Sequence, residues 1–262
     1  MRLHILLSAV CLILAGCKYD EGCTDPEALN FHEGTTVDNG SCQYPEGMEP
    51  VLFDGHLYHV AIIGEQTWFD ENLRTTTYAN GEPIPSGLTD AEWFSIFSTE
   101  GQSAVYGEGN SPCNDTLAVD FDPCDEALSL EAYGRLYNWY AVNDARGLCP
   151  EGWHVPTVED WSNLEEELIA QGHETAEAIP LRSTDGWYNW AWGMDSFGFT
   201  ALPGGSRNEL GEFNYAGGIG LWWSATPSGG YAWRYRISHY SQQISPDEVR
   251  PGIGYSVRCL KD

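Results

Sequence analysis

The residues best equipped for chemistry gather toward the C-terminal end of this chain. Arg207 and Asn208, then Trp222 and Trp223, then Trp233, Arg234, Tyr235 and Tyr240 combine flat aromatic faces with guanidinium and amide donors. Trp, Tyr and Arg dominate the energetic centres of binding surfaces, and indole faces stack well on sugar rings or partner side chains. The chemistry on offer is recognition rather than bond making. A competing assignment is that the same aromatics fill the core of a domain built from short strands.

Catalytic patterns do not emerge. His56, His59, His154, His173 and His239 are dispersed, without the His-x-x-x-His spacing of a metal site. Ser224 lies in Trp-Ser-Ala rather than in a Gly-x-Ser-x-Gly elbow. No phosphate loop is present, and carboxylates are too abundant for one pair to stand out as glycosidase groups. The chain reads as a non-enzyme that requires no cofactor. Calcium is the ion its oxygens suit. Asp25, Asp38 and Asn39, with Gly40 for a tight turn, offer hard ligands, and Asp115, Asp120, Asp122 and Asp125 crowd a later loop. Ordinary turns and a solvated loop explain the same residues.

Positioning falls to the stretch from Gly147 to Leu168, GLCPEGWHVPTVEDWSNLEEEL. Its order predicts an extended entry through Pro156 and a helix N-cap at Thr157. Asp160 takes the reciprocal place in a capping box, and Glu159 and Asp160 sit at the positive end of the helix dipole. Trp161, Leu164 and Leu168 then share one apolar face, and Gly172 ends the helix. Upstream, Tyr58 to Ile63 and Gln66 to Phe69 read as a hairpin around Gly64-Glu65. Tyr133 to Val142 reads as a short amphipathic helix carrying Leu136, Trp139, Tyr140 and Val142. Trp222 to Thr226 and Tyr231 to Ile237 read as strands. In the latter, Tyr231, Trp233, Tyr235 and Ile237 alternate with Arg234 and Arg236. Tyr255 to Leu260 is the expected last strand.

The 262 residues carry a formal net charge of −27, which repels nucleic acid and anionic lipid. Residues 1–17, MRLHILLSAVCLILAGC, read as a signal peptide, with Arg2 ahead of an apolar run. Leu14-Ala15-Gly16-Cys17 is similar to the lipobox of bacterial lipoproteins, which implies lipidation at Cys17 and membrane attachment through lipid alone. Residues 18–50 form a small cysteine-framed module with a linker, and 51–262 form one large domain. The six cysteines after Cys17 suit an exported, oxidised protein. Proximity and module boundaries favour Cys23–Cys42, Cys113–Cys124 and Cys149–Cys259 among the many pairings open to them.

Residues 22–45 resemble a motif, GCTDxxAxNY…DDGSCxY, of secreted Bacteroidetes proteins. DGHLYHVAIIGEQTWFDENLR, YGRLYNWYAV, CPEGWHVPTVEDW, GFTALPGGSR, GLWWSAT and GYSVRCLKD, in that order, resemble the Fibrobacter succinogenes major paralogous domain. That family occurs in exported and lipid-anchored bacterial proteins and has no established biochemical activity. The GWHVPTVEDW segment is similar to one in formylglycine-generating enzymes, and the WWSAT…VRC ending to retroelement variable proteins. The resemblance implies an α+β fold: a disulfide-stapled, C-type-lectin-like domain with two short helices, twisted antiparallel strands and long loops. Only Cys259 stands where those enzymes carry paired catalytic cysteines, and Glu-Pro-Asn and Gln-Pro-Asp are absent. Neither oxidase chemistry nor calcium-dependent sugar binding therefore carries over. The expected role is a lipid-anchored outer-membrane or cell-surface protein that binds an extracellular glycan or protein. A structural envelope or matrix component is the alternative, and an enzyme of unknown type a third reading.

Overall fold

The computed structural model describes residues 21–93, 99–109, 111–117 and 120–262. The expected leader and the expected lipidation site, Cys17, lie outside the described residues. Contacts divide the chain into one unit ending at Glu49 and another running from Pro50 to Asp262.

In the first unit, β1 (Glu21–Gly22) runs parallel to β2 (Val37–Asp38). Cys23 and Ala28 are its buried apolar residues among those described, while Leu29 and Phe31 are exposed. The Cys23–Cys42 disulfide supplies the restraint that so small a core does not.

The second unit opens with two hairpins, β3 (Val51–Phe53) with β4 (His56–Tyr58), then β5 (Val60–Ile63) with β6 (Gln66–Phe69). Gly64 takes a φ of +60°, as the first position of the expected II′ turn demands. Next come α1 (Asp90–Trp93), β7 (Ser103–Val105), β8 (Cys113–Asp115), α2 (Glu126–Tyr133), β9 (Arg135–Tyr137), α3 (Trp139–Val142), β10 (Trp153–His154) and α4 (Val158–Ala170). β11 (Ser206–Arg207) and β12 (Phe213–Asn214) precede the main antiparallel sheet of β13 (Ile219–Ser228), β14 (Tyr231–Ser238) and β15 (Ser245–Val249). The chain closes on β16 (Leu260–Lys261), which lies between β10 and β6. The unit is thus mostly small sheets with few short helices. Among the described residues there are four α-helices rather than the expected two.

The β13–β15 sheet divides the core. Trp222 and Trp223 are consecutive in β13, so the strand pleat sends them to opposite faces. Trp222 joins Trp161, Leu164, Leu168, Tyr235 and Ile237 beneath α4. Trp223 joins Leu221, Ala232, Tyr137, Tyr255 and Cys259 on the other side. α4 is held at both ends as its sequence predicts. The Thr157 hydroxyl accepts from the Asp160 N–H, and the Asp160 carboxylate accepts from the Thr157 N–H at 2.8 Å. At the other end Gly172, at φ +93°, lets its own N–H reach Ile169 O at 2.9 Å and the His173 N–H reach Leu168 O at 3.0 Å. These bonds satisfy carbonyls that the last turn leaves open.

Two expectations need correction. Tyr133 to Val142 is not one helix. α2 ends at Tyr133, Gly134 turns the chain at φ +69°, and β9 pairs with β7 before Asn138 caps α3. The Arg135 N–H donates to Leu73 O and the Tyr137 N–H to Tyr255 O, so strand partners outcompete the helical spacing of the apolar residues. The last strand is likewise shorter than expected, because most of its length meets different neighbours at each step. Tyr255 bridges Tyr137, Ser256 lies beside Trp222, Val257 O accepts from Leu73, and Cys259 O accepts from Phe69. Gly254 to Leu260 are all buried, and the Cys149–Cys259 disulfide fixes this segment to the turn before β10.

Two outcomes follow. Replacing Cys149 and Cys259 together by Ala lowers stability by about 3–5 kcal/mol, read from urea unfolding; an unchanged midpoint contradicts the central placing of that bridge. On α4, Glu165 has a buried carboxylate oxygen without a partner among the described residues. Burial, and then the charge of Glu177, push its carboxyl up to about 7. The folded state therefore holds a proton that the unfolded chain releases above its ordinary range, near 4.5. Stability falls as pH rises from about 4.5 to about 7 through this group, and Glu165→Gln removes that fall, gaining about 2 kcal/mol at pH 8. Denaturant midpoints of both proteins across that range measure it, and parallel profiles contradict it.

Candidate functional site

The aromatic and arginine set does not converge on one surface. Arg207 is fully buried at the β11 end. Its guanidinium lies 4.6 Å over Trp93 and 5.0 Å from the Phe213 ring centre, bonds Glu108 at 3.0 Å, and donates to the carbonyls of Leu88 and Gly211. Trp222 and Trp223 are 1% and 0% exposed, and their indole N–H groups donate to Asn72 and to Tyr137 O, both at 2.7 Å. Tyr235 stacks on Trp161 with ring centres 4.6 Å apart. These four residues are core, not ligand contacts, because every polar group they could offer is turned inward. Asn208 is spent on a turn, its carbonyl oxygen accepting from Leu210 and Glu212 N–H. Trp233 is half-buried opposite Glu248, on the face of β14 that carries Tyr235.

The acidic candidates are similarly committed. Asp25 accepts from the Glu27 N–H and from the Tyr44 hydroxyl, Asp38 from the Gly40 N–H, and Asn39 from the Ser41 N–H. Asp122 and Asp125 accept backbone N–H groups at the start of α2. Among the described residues, no three His, Cys, Asp or Glu side chains stand close enough to hold a metal ion.

Arg234 and Tyr240 do come together, in a pocket of about 430 Å³. It lies where the β13–β14 sheet face that carries Trp223 runs out of cover. Ile219 and Leu221 on β13 stand opposite Ser238 and Arg236 on β14, and Trp223 opposite Arg234, so all of these share one face. Tyr255 packs against Trp223 at 4.7 Å and closes one side. Burial pushes its phenol up to about 12, which keeps it a neutral donor. Leu117, Ser206 and Tyr215 line the remaining wall.

The rim is aromatic. Tyr240 is 63% exposed and Tyr215 45%. His239 lies between the rings of Tyr188 and Tyr240, at 5.4 and 5.1 Å, edge to face. Its Nδ1 is 3.1 Å from Gly218 O, and a carbonyl only accepts, so Nδ1 carries the proton and Nε2 is the free position of the neutral ring. Tyr215 holds a φ of +74°, a left-handed backbone that costs a non-glycine residue about 1 kcal/mol or more. Arg234 donates to Asp247 at 2.7 Å, yet its Nε and Nη1 find no acceptor among the described residues. Arg236 makes no ion pair, hydrogen bond or ring contact among the described residues. Ser206 and His239 line the same pocket, and no hydrogen bond joins them among the described residues.

Sequence reading missed Tyr215, Arg236 and His239 as site residues. The alternation of Arg234 and Arg236 along β14 was visible and pointed to a shared face. The backbone strain at Tyr215 and the stacking of His239 leave no pattern in the chain.

Residues 62–261 match the family model described as Fibrobacter succinogenes major domain, and the chain belongs to that family. Neither a curated protein nor a solved structure matches the chain.

Arg207→Met leaves the Glu108 carboxyl, already raised by burial, without its cation. It lowers stability by about 3–5 kcal/mol. Thermal unfolding measures this loss, and a change within experimental error contradicts a structural role for Arg207.

Proposed function

We propose that this is an exported, lipid-anchored cell-surface protein whose large domain has a C-type-lectin-like fold and binds a glycan or protein ligand without catalysis. The pocket bordered by Tyr215 and Tyr240 is the ligand site. One observation carries the reading: exposed tyrosine rings border a concavity lined by an arginine that has no partner among the described residues. Concave sites with an apolar wall and a few convergent polar groups are where proteins hold small ligands, and a volume of about 430 Å³ suits one or two sugar rings or a short side-chain cluster. The strained backbone at Tyr215 belongs to the class of features that folds retain at binding positions. Export and lipid anchoring rest on residues 1–17 and on the disulfides, which persist in oxidising compartments.

A structural envelope or matrix role is the second reading. Its support is the burial of Trp222 and Trp223, which removes the largest aromatics from the surface, and an acidic exterior that calcium would bridge between molecules. A glycan array probed with the full chain, with calcium and with chelator, separates the two. Binding that survives chelation and drops about tenfold or more in Tyr215→Ala and Tyr240→Ala supports the pocket. A blank array, with calcium-dependent self-association in light scattering, favours the matrix role.

A further inference from the structure

We propose that the pocket takes a sugar bearing a single carboxylate, a uronic or sialic acid residue, and that Arg236 is the group that receives the carboxylate. The inference rests on the pocket being the ligand site and names the class of ligand it accepts.

Positive charge is scarce in this chain, with 12 Lys and Arg against 39 Asp and Glu. Nearly all arginines in the described residues are committed. Arg74 pairs with Glu71, Arg146 with Asp144 and Glu82, Arg207 with Glu108, Arg234 with Asp247, and Arg250 with Glu209. Arg182 and Arg258 donate to buried carbonyls, and Arg135 to Arg74 O. Arg236 is the exception, and it stands in the pocket. A guanidinium left unpaired among so many carboxylates is a position held open, since its planar fork matches a carboxylate with two parallel bonds. Its neighbour Arg234, paired with Asp247, keeps Nε and Nη1 without an acceptor among the described residues. The free Nε2 of His239 and the hydroxyls of Ser206 and Tyr255 are placed for sugar hydroxyls, and the rings of Tyr215 and Tyr240 for a pyranose face.

The same charge balance sets the limit of one carboxylate. A net charge of −27 repels a polyanion over the whole surface, whereas an isolated charge is screened until it reaches the pocket. The ligand is accordingly a terminal or isolated acidic residue, not a run of them.

Titration calorimetry on the full chain in detergent tests this with matched probes. Cellobiouronic acid differs from cellobiose, and sialyllactose from its methyl ester, by the acidic group. The acids are expected to bind at least about tenfold tighter than their neutral partners, with affinity falling as salt is raised. Arg236→Gln is expected to erase that preference, a loss of about 10- to 100-fold for the acids, while Arg236→Lys keeps part of it and so separates charge recognition from folding. Equal binding of acid and neutral sugars, still lost in Tyr240→Ala, overturns the carboxylate assignment and leaves the pocket standing. Polygalacturonate binding as tightly as the single acids overturns the limit to one charge. Binding of a glutamate-bearing peptide but of no sugar, lost in Arg236→Gln, overturns the sugar class. No binding by any probe overturns this proposal and the pocket reading together.

Discussion

The buried amide of Asn72 is the interaction on which the rest of the large domain depends. Its oxygen accepts from the Trp222 indole at 2.7 Å and from Arg258 at 3.1 Å, while its nitrogen donates to Tyr133 O at 2.9 Å and to the Ser256 hydroxyl at 3.3 Å. A side-chain amide has capacity for two acceptances and two donations, and here all four are used. The segments it joins are the end of the second hairpin, the end of α2, the main sheet and the buried C-terminal segment, none of which is near another in sequence. Leu73, the next residue, extends the same junction through its backbone, donating to Val257 O and accepting from Arg135. A buried amide with all its positions used specifies one arrangement of its partners, because any other leaves polar groups unpaired in a medium that penalises them.

The burial of arginine in so acidic a chain follows from the shape of the fold. Short sheets and long connections leave carbonyl groups inside the domain with no ladder partner. Arg182 donates to Ser238 O and Ser241 O, Arg258 to Phe199 O and Thr200 O, and Arg207 to Leu88 O and Gly211 O. One guanidinium brings five donors, so it satisfies several loop carbonyls at once. Each of these cations also lies against an aromatic ring, Trp187, Phe199 or Trp93, which recovers part of the lost hydration. Burial lowers the pKa of both Arg182 and Arg258 to about 10, still far above neutrality, so they remain charged. The structural use of arginine leaves the surface more acidic than composition alone conveys.

What could be read in the chain was local. The capping box at Thr157, the Gly172 stop, the hairpin at Gly64 and the three cysteine pairs depend on contacts set by near neighbours or by boundaries, and they stand in the structure. The stretch from Tyr133 to Val142 went the other way, because Leu73 and Tyr255 supply strand partners that no local pattern reveals. The burial of half of the binding set has a related reason. Residue type identifies Trp222, Trp223, Tyr235 and Arg207 as valuable, but an indole that suits a sugar suits a core equally well. Which use prevails depends on what packs above the strand. α4 covers one face of β14 and buries Tyr235 there. The opposite face is covered by the C-terminal segment only as far as Tyr255, leaving Arg236 and the aromatic rim beyond it.

The incomplete cover also bears on why the pocket keeps features that stability alone would not select. An Arg236→Leu domain would extend the apolar face of Leu221 and lose nothing that the protein itself contacts, since Arg236 has no partner among the described residues. A glycine at 215 would relieve the left-handed backbone, as it does at Gly217 and Gly205 nearby in sequence. Arg234 would be better satisfied with a second acceptor on β15, opposite which it already stands. Three departures from local optimum lie within one concavity. On the proposed reading, a ligand in the pocket supplies the compensation that these departures lack among the described residues.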